Sequence, residues 1–313
     1  IMNAITRTQK VDAETLLTII FVLVDDWYQA NAPRLLAGKR GAKPMCSDSE
    51  LITLLLAMDY FPYPGETQFL EYIRANHLAL FPKLVDQSQF NRRSRALRLL
   101  VEELRKDWAI QLGVSQERYF LLDTKPVPVI GYKRDKRHSD FAGSANYGVC
   151  TSRNLKYFGY KLVMITTVDG LPVAYELVPA NTDERDAADE LLLFLHQCHV
   201  FTDKGFIDDD WQTQWAQRQG IRIWNVKRTN QQTQNPPEFD QWLTSIRERV
   251  EGTFNEIRNT GRDLERLLRK TVIGVSTHVI AKVTSHTLKL VLRRFFHIDI
   301  QTFSIDDVSL QIS

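Results

Sequence analysis

The hydrophobic pattern of the chain changes near residue 116, and this change restricts the folds that the chain can adopt. Before it, apolar residues recur at helical spacing, as in residues 12–28, whereas afterwards β-branched and aromatic residues form short runs. A chain of 313 residues is long enough for two domains. We therefore predict a helical domain at residues 1–115, a sheet-containing domain at residues 116–270, and a C-terminal helix and tail at residues 271–313.

The predicted helical domain has a clear helix start and an arginine-rich last helix. Residues 47–50 form a capping box, in which a serine oxygen and a glutamate carboxylate satisfy free backbone amides. Residues 88–108 form the longest predicted helix of this domain. Several short helices that end in an arginine-rich helix resemble a helix-turn-helix reader of DNA, and the alternative is a helical bundle with one charged face. The predicted DNA-binding arginines are Arg92, Arg93, Arg95 and Arg98.

The second domain is predicted to be α/β. Two strands form a hairpin around the Asp169-Gly170 turn, and alternating helices and strands follow. A long helix from residue 239 toward residue 270 closes the domain. We predict a mixed five-stranded sheet with flanking helices, preceded by an all-α N-terminal domain. The predicted strands are residues 118–123, 158–168, 171–179, 199–202 and 221–226, and the predicted helices between them are residues 183–196 and 208–219.

The charges of the chain are separated into blocks. The formal net charge is only +2, yet residues 124–161 hold eight bases against two acids, and residues 181–220 hold nine acids against three bases. Each block alone is as consistent with a solvated surface as with a function. Together, they match a metal-dependent enzyme that acts on a polyanion, because phosphates attract Lys and Arg whereas hard metal ions need carboxylates.

Several other classes of protein are disfavoured. Three cysteines without a C-x-x-C pair fit a reducing cytoplasm, and the apolar run at residues 16–24 is too short for a bilayer span and lacks a signal-peptide cleavage site. The histidines have no metal-ligand spacing, so zinc is not expected. The chain has no G-x-S-x-G, Walker or G-x-G-x-x-G motif, which removes serine hydrolases, NTPases and dinucleotide enzymes.

Two aspartates follow apolar strands. Asp123 is predicted to end the first strand, and Asp203 ends the strand at residues 199–202. Carboxylates at strand ends of an α/β sheet lie on the edge where sites are usually built. A lone aspartate after a strand is more often a turn or a helix cap. Here two aspartates follow apolar strands, and a lysine closely follows each of them. This repeated pattern favours a catalytic role.

Helix geometry selects the third acid. At about 100° per residue, Glu251 lies about 100° from Val250 and borders the buried stripe, whereas Glu248 lies about 160° away and faces solvent. A surface ion pair with Arg247 is the alternative role for Glu251. Two aspartates and this glutamate could supply oxygen ligands to two divalent cations in a phosphodiester displacement. The stripe consists of Leu243, Ile246, Val250, Phe254 and Ile257.

These residues resemble the DDE-type bacterial insertion-sequence transposases, whose catalytic domain is ribonuclease H-like. Residues 123–129 are similar to the first-aspartate segment of that family, residues 157–173 to the hairpin that follows, and residues 202–206 to the second-aspartate segment. Residues 88–93 resemble the insertion-sequence group 982. The last helix keeps the spacing of the family signature Tyr, two residues, Arg, three residues, Glu, six residues, Lys, with Thr244, Arg247, Glu251 and Arg258.

The resemblance implies a site and a mechanism. Asp123, Asp203 and Glu251 would hold Mg²⁺ or Mn²⁺, with two ions expected. Water would free a 3′-hydroxyl at the end of the element, and that hydroxyl would then attack target DNA without a covalent enzyme intermediate. Arg247 and Arg258 would orient Glu251 or touch phosphate. Thr244 lacks the aromatic ring of the usual Tyr, so that role is not transferred. Further predicted DNA contacts are Lys125, Lys133, Arg134, Lys161 and Lys204.

The resemblance also implies partners and leaves alternatives. The expected partners are the terminal inverted repeats and target DNA, and a homodimer would bridge two ends in the cytoplasm, at the bacterial nucleoid. No membrane and no nucleotide cofactor are expected. Only residues 227–239 separate the last strand from the Glu251 helix, so a large inserted domain is not expected there. The alternatives are a ribonuclease H-like nuclease or resolvase without strand transfer, and a catalytically dead DNA-binding derivative.

Overall fold

The computed structural model divides the chain into two compact units. The helical unit comprises residues 1–108, 259–263 and 273–313, and the sheet unit comprises residues 109–258 and 264–272. The structure describes residues 10–36, 44–134, 136–150, 154–227, 234–259, 263–264, 269–300 and 302–303.

In its described residues the helical unit contains five helices, and the first two have caps formed by neighbouring residues. Asp12 caps the first helix by accepting from the amide of Thr15, and the predicted capping box is present, with Ser47 and Glu50 each bonded to the amide of the other. The helices are α1 (Ala13–Leu35), α2 (Asp48–Ala57), α3 (Glu66–Asn76), α4 (Gln87–Gln111) and α8 (Val272–Phe296), and α4 continues three residues into the sheet unit.

Helix α8 packs against the end of α2 and the 3₁₀ turn Met58–Tyr60 that follows it. The hydroxyl of Tyr60 donates to the carbonyl of Ser285, and the Ser285 hydroxyl lies 2.9 Å from the carbonyl oxygen of Leu56. Lys282 and Asp59 form a buried ion pair at 3.5 Å. The C-terminal helix is therefore a structural part of the helical unit. No helix in the described part of the chain is long and apolar enough to cross a membrane.

The sheet unit has the predicted mixed sheet, but with six strands rather than five. The order is β2-β3-β1-β5-β6, with β4 also on β3. Strands β1, β5 and β6 are parallel, whereas β3 is antiparallel to β1, β2 and β4. The strands are β1 (Tyr119–Ile130), β2 (Asn146–Cys150), β3 (Leu155–Thr167), β4 (Pro172–Pro179), β5 (His199–Thr202) and β6 (Arg222–Asn225).

The additional strand is β2, which pairs with residues 155–159 of β3, while β4 pairs with residues 160–166. It is short, contains a glycine and leaves most of its side chains exposed, so it has no hydrophobic alternation to reveal it. Without β2, the order β4-β3-β1-β5-β6 is that of the ribonuclease H-like fold that the resemblance implies.

Strand β1 is longer than predicted, and Asp123 lies within it rather than at its end. The additional part contains Pro126 and Pro128, which cannot donate to a ladder. In the structure β5 pairs with β1 only as far as Leu121, so the edge beyond is open. Thr124 alternates with the two prolines along β1, so its backbone nitrogen faces the same side of the strand as theirs. The amide of Thr124 donates to the carboxylate of Asp123 rather than to a neighbouring strand.

Three helices flank the sheet. Helix α6 ends at Gly220, which adopts the left-handed conformation (φ 68°) expected of a helix cap. Helix α7 ends before the predicted residue 270. The helix spans Pro237–Asn259, and residues 263–264 are not helical. Most of the predicted polar loop before α7 lies outside the described residues. The helices are α5 (Glu184–Leu192), α6 (Asp209–Gln219) and α7 (Pro237–Asn259).

Candidate active site

The parallel pairing of β1 and β5 brings Asp123 and Asp203 side by side. Leu121 is the register partner of Phe201, and each aspartate lies two residues further along its strand direction. Neighbouring strands lie about 4.8 Å apart. The two predicted aspartates therefore meet at the point where β5 ends and β1 continues, at the carboxyl edge of the parallel strands.

Asp123 is held by its immediate neighbours. Its Oδ1 accepts from the amide of Thr124 at 2.8 Å, its Oδ2 lies 3.7 Å from Nζ of Lys125, and only 14% of its side chain is exposed. Burial raises the pKa of Asp123 to about 6, and the negative charge of Asp203 adds to that rise. Lys125, the Thr124 amide and Arg247 act in the opposite direction. Burial outweighs them, so Asp123 binds a proton more readily than a free aspartate does.

Asp203 caps the short turn that follows β5. Its Oδ1 accepts from the amide of Gly205 at 2.7 Å. A Cβ atom at Gly205 would lie 2.1 Å from Oε2 of Glu184 and 3.0 Å from Oδ1 of Asp203. The carboxylates of Asp203 and Glu184 therefore both lie against this glycine, and a larger residue would push them aside.

Glu184 is an acidic member of the site that the sequence analysis did not select. It is the first residue of α5, and its Oε1 accepts from the hydroxyl of Thr124 at 2.9 Å. Burial raises the pKa of Glu184, the Thr124 hydrogen bond and Lys161 lower it, and Asp203 raises it further. Acids in the first turn of a helix are common because they favour its dipole. The only signal in the sequence was therefore its place in the acidic block at residues 181–220.

Helix α7 presents Glu251 between two residues that approach β1. The predicted stripe of α7 is buried, as expected. Arg247 lies close enough to lower the pKa of Asp123, and the ring of Phe254 lies 5.5 Å from Nζ of Lys125. Glu251 lies one turn after Arg247 and three residues before Phe254. Its side chain is exposed and makes no hydrogen bond or ion pair with the described residues, so it does not contact the aspartates.

The turn between β3 and β4 fixes the position of α7. Gly170 in this turn has φ 83°, and a Cβ atom there would lie 2.5 Å from the hydroxyl oxygen of Thr253. Thr253 is buried on the face of α7 that carries the apolar stripe. This close approach requires glycine and sets which part of α7 faces β1.

The predicted DNA-contacting residues of the sheet unit have different environments. Lys125 is one-third exposed beside Asp123, Lys204 is exposed next to Asp203, and Lys133 and Arg134 are exposed after β1. Lys161 donates to the carbonyl of Thr182 at 2.8 Å. The side chain of Arg258, by contrast, lies outside the described residues.

The arginines of α4 do not form one uniform basic surface. Arg92 is exposed, but Arg93 donates to Asp48 at 2.6 Å and to the carbonyl of Cys46 at 2.8 Å. Arg98 donates to the carbonyl of Arg95. Arg93 therefore ties α4 to the start of α2, a structural role that the sequence analysis did not predict.

The acidic site has the donor chemistry of a hard divalent cation without a preformed metal cage. Carboxylate oxygens are the ligands that Mg²⁺ and Mn²⁺ prefer, and Asp123, Asp203 and Glu184 bring such oxygens to one site. Among the described residues, no three His, Cys, Asp or Glu side chains are close enough together to hold an ion. The residues thus match a hard divalent cation in their chemistry.

The fold and the acidic site define a class of protein, a ribonuclease H-like α/β domain in which one aspartate within β1 lies beside another that directly follows the parallel strand β5. Residues 114–266 match the family model of the transposase DDE domain. Among curated proteins, no sequence matches the chain significantly. The insertion-sequence 982 subgroup stays a prediction.

Two solved transposase structures are similar to the chain at low scores. The piggyBac transposase synaptic complex with hairpin DNA aligns over 98% of this chain and 80% of that chain, with 9% identity and a TM-score of 0.47. The Mos1 transposase paired-end complex with left transposon end aligns over 78% and 93%, with 14% identity and a TM-score of 0.23. At these scores neither likeness assigns a residue or an activity.

Proposed function

We propose that this chain is a DNA transposase that cleaves the ends of its element and joins their 3′-hydroxyls to target DNA. The observation that carries the proposal is the position of Asp123 beside Asp203, at the point where β5 ends and β1 continues, within the region that matches the transposase DDE domain. The basic residues around this edge suit a polyanionic substrate.

Asp123, Asp203 and Glu251 are proposed to hold two Mg²⁺ or Mn²⁺ ions. Such ions, when bound, activate an attacking oxygen and stabilise the leaving oxygen of a phosphodiester displacement. The proposal for Glu251 rests on its place between Arg247 and Phe254, which both approach β1.

Neighbouring residues prepare the two aspartates for this role. The Thr124 amide orients Asp123, and the Thr124 hydroxyl holds Glu184 against Asp203. Lys125 lies beside Asp123 and would shift to a DNA phosphate once cations neutralise the carboxylates. Arg247 would either orient Glu251 or contact phosphate.

The reaction proceeds as two displacements at phosphorus. In the first, a water oxygen bonds to the phosphorus at the element's end, the P–O3′ bond breaks, and the leaving 3′ oxygen takes up the proton that the water gives up. In the second, the oxygen of that 3′-hydroxyl bonds to a target phosphorus, the target P–O3′ bond breaks, and the proton of the attacking hydroxyl is transferred to the leaving 3′ oxygen. The number of phosphodiester bonds is unchanged in the second step, so it needs no energy source.

The helical unit and a second subunit are proposed to hold DNA. Arg92, Arg95 and Arg98 on α4 are the candidate contacts there, whereas Arg93 is engaged with Asp48. The terminal inverted repeats and target DNA are the proposed partners, and a homodimer would hold two ends together.

The test uses inverted-repeat DNA taken from the flanks of the reading frame. Asp123→Asn should keep end binding in a gel-shift assay and lose Mg²⁺-dependent cleavage and joining. Glu251→Gln should lose both reactions, and Glu248→Gln, a matched exposed acid on the same helix, should keep them. Cleavage at the wild-type rate by Asp123→Asn would reject the proposal, and cleavage without joining of pre-cut ends would favour a nuclease.

A further inference from the structure

A cavity of about 610 Å³ lies in the sheet unit beyond the end of β1. Its walls come from the last residues of β1, from the loop that follows, and from the segment just before α8. None of these residues belongs to the acidic site. The lining residues used below are Arg134, His138, Asp140, Phe141, Arg269 and Lys270.

Basic side chains without protein partners face this cavity. The side chains of Arg134, His138 and Lys270 make no hydrogen bond or ion pair with the described residues, and Arg269 adds a further basic group. Among the described residues that line the cavity, Asp140 is the only carboxylate, and its Oδ2 accepts from the amide of Val272 at 2.7 Å. The described lining therefore carries net positive charge and is suited to an anion.

The loop that forms one wall is held in place by an aromatic cage. Nζ of Lys136 lies 5.9, 5.0 and 5.2 Å from the ring centroids of Tyr132, Tyr147 and Phe158. The same ammonium donates to the carbonyls of Tyr132 and Arg134. Lys136 thus fixes the backbone at Arg134, which orders this wall before any ligand binds.

Two further contacts anchor the loop to β3. Phe141 is buried with 1% exposure and packs edge-on against Tyr160, and the hydroxyls of Ser144 and Tyr160 lie 2.7 Å apart. The Asp140–Val272 hydrogen bond joins the loop to the opposite wall. These contacts anchor the part of the loop that contributes His138, Asp140 and Phe141 to the cavity.

The strand β1 links this cavity to the acidic site at a defined spacing. Ile130, which lines the cavity, lies seven residues beyond Asp123 on the same strand. At about 3.3 Å per residue this is about 23 Å. Duplex DNA rises about 3.4 Å per base pair, so the same distance corresponds to about seven base pairs.

We propose that this cavity binds the phosphodiester backbone of the DNA duplex whose end is processed at Asp123, about seven base pairs from the reacting phosphate. This inference rests on the proposed function, because it takes its ligand from the same substrate. Arg134 and Lys270 would contact phosphate oxygens directly, because neither side chain has a partner among the described residues. The contact would set how far the duplex end extends toward Asp123.

The experiment compares DNA binding by the full-length wild type with that of an Arg134→Ala/Lys270→Ala variant. The probe is a labelled 30-base-pair duplex, titrated by fluorescence anisotropy at several salt concentrations. Removal of two phosphate contacts should lower the slope of log affinity against log salt by about 2 and weaken binding several-fold. Arg222→Ala, an exposed arginine on β6, is the matched control and should change neither quantity.

A second measurement locates the contact on the DNA. In a duplex of the element's end, methylphosphonates about seven base pairs from the cleavage site should weaken binding by the wild type but not by the double variant. Methylphosphonates about three base pairs from that site should weaken both equally.

The outcomes separate this inference from the proposed function. If the wild type binds the duplex and the double variant binds it with equal affinity and slope, the cavity is not a DNA site. If ADP or inorganic phosphate binds the wild type tightly in calorimetry and the double variant not at all, while DNA affinity is unchanged, the cavity serves a free phosphate compound. If the wild type does not bind duplex DNA, the proposed function itself fails.

Discussion

The helical unit and the sheet unit each bury an acidic side chain. The two units differ in how a nearby ammonium group offsets its negative charge. In the helical unit Asp59 is 1% exposed and lies 3.5 Å from the ammonium of Lys282, itself fully buried. In the sheet unit Asp123 is 14% exposed, and the nearest ammonium, that of Lys125, is one-third exposed at 3.7 Å. The first pair is closed to solvent, whereas the second is not.

The surroundings increase this difference. Asp203 and Glu184 bring further negative charge to the acidic site, and burial raises the pKa of Asp123 to about 6. A protein does not retain several poorly compensated carboxylates for stability, since desolvation of charge is costly. The excess negative charge around Asp123 and Asp203 therefore suits a cation-binding site. The Lys282–Asp59 pair has no excess charge, and it suits a structural role in the packed interior.

The largest expected effect is a loss of stability when the buried Lys282–Asp59 ion pair is broken. Lys282→Met leaves Asp59 buried without its ammonium partner, which should lower the free energy of unfolding by about 3–5 kcal/mol. Urea denaturation followed by tryptophan fluorescence and circular dichroism measures this change. Lys106→Met, which removes an exposed ion pair with Glu103 at 2.8 Å, is the control and should cost less than about 1 kcal/mol.

A double variant sharpens this prediction. Lys282→Met combined with Asp59→Leu removes both charges and should recover much of the lost stability. If Lys282→Met alone cost no more than Lys106→Met, the buried pair would not be a stabilising contact and the contrast between the two units would fail.

The next effect concerns the acid that the sequence analysis missed. Glu184→Gln keeps the size of the side chain and an acceptor for Thr124 but removes the charge beside Asp203. If Glu184 supports a metal site, this change should weaken Mn²⁺ binding about 10–100-fold, as is typical of residues that orient metal ligands. Isothermal calorimetry on the DNA-free protein measures it without reference to activity.

Two controls make this result interpretable. Glu190→Gln changes an exposed acid on the same helix α5 and should leave Mn²⁺ affinity unchanged. Asp203→Asn should remove most Mn²⁺ binding. If Asp203→Asn binds Mn²⁺ normally, the proposed metal site is wrong, whereas normal binding by Glu184→Gln alone would show that Glu184 serves only to hold Thr124.

Features encoded by neighbouring residues were predictable from the sequence. The capping box at Ser47, the Gly220 helix cap and the apolar stripe of α7 all follow from local spacing, and the structure has each of them. Asp123 and Asp203 were selected because each follows an apolar strand. That they meet depends only on the parallel register of β1 and β5.

Features that depend on contacts between distant segments were not predictable. Glu184 reaches the site only because α5 begins beside Thr124, sixty residues away in the chain. Strand β1 continues past its prolines only because β5 ends early and leaves that edge open. Arg93 had the same appearance in the sequence as Arg92, and its partner Asp48 comes from a different helix.

The smallest expected effect is a pH-dependent gain of stability when the carboxyl of Asp123 is removed. The pKa of Asp123 is about 6 in the folded protein and about 3.8 as a free group, so the folded state binds the proton more tightly. Stability therefore falls as pH rises from about 4 to about 6, and the full cost of the buried charge is present above that range. In EDTA, Asp123→Asn should be more stable than wild type by about 1–2 kcal/mol at pH 8, after allowance for partial exposure, and equal to it at pH 4.

Thermal denaturation at both pH values measures this difference, and Asp183→Asn provides a control of opposite sign. Asp183 caps α5, and its hydrogen bond with Arg185 lowers its pKa, so its charge stabilises the folded state at neutral pH. Its removal should destabilise the protein at pH 8 and matter less once the carboxylate is protonated.

Mg²⁺ should raise wild-type stability and reduce the stability advantage of Asp123→Asn, since the cation would offset the charge of Asp123 as Lys282 offsets that of Asp59. An advantage of the same size at pH 4 and pH 8 would mean that the gain comes from packing rather than from relief of a buried charge.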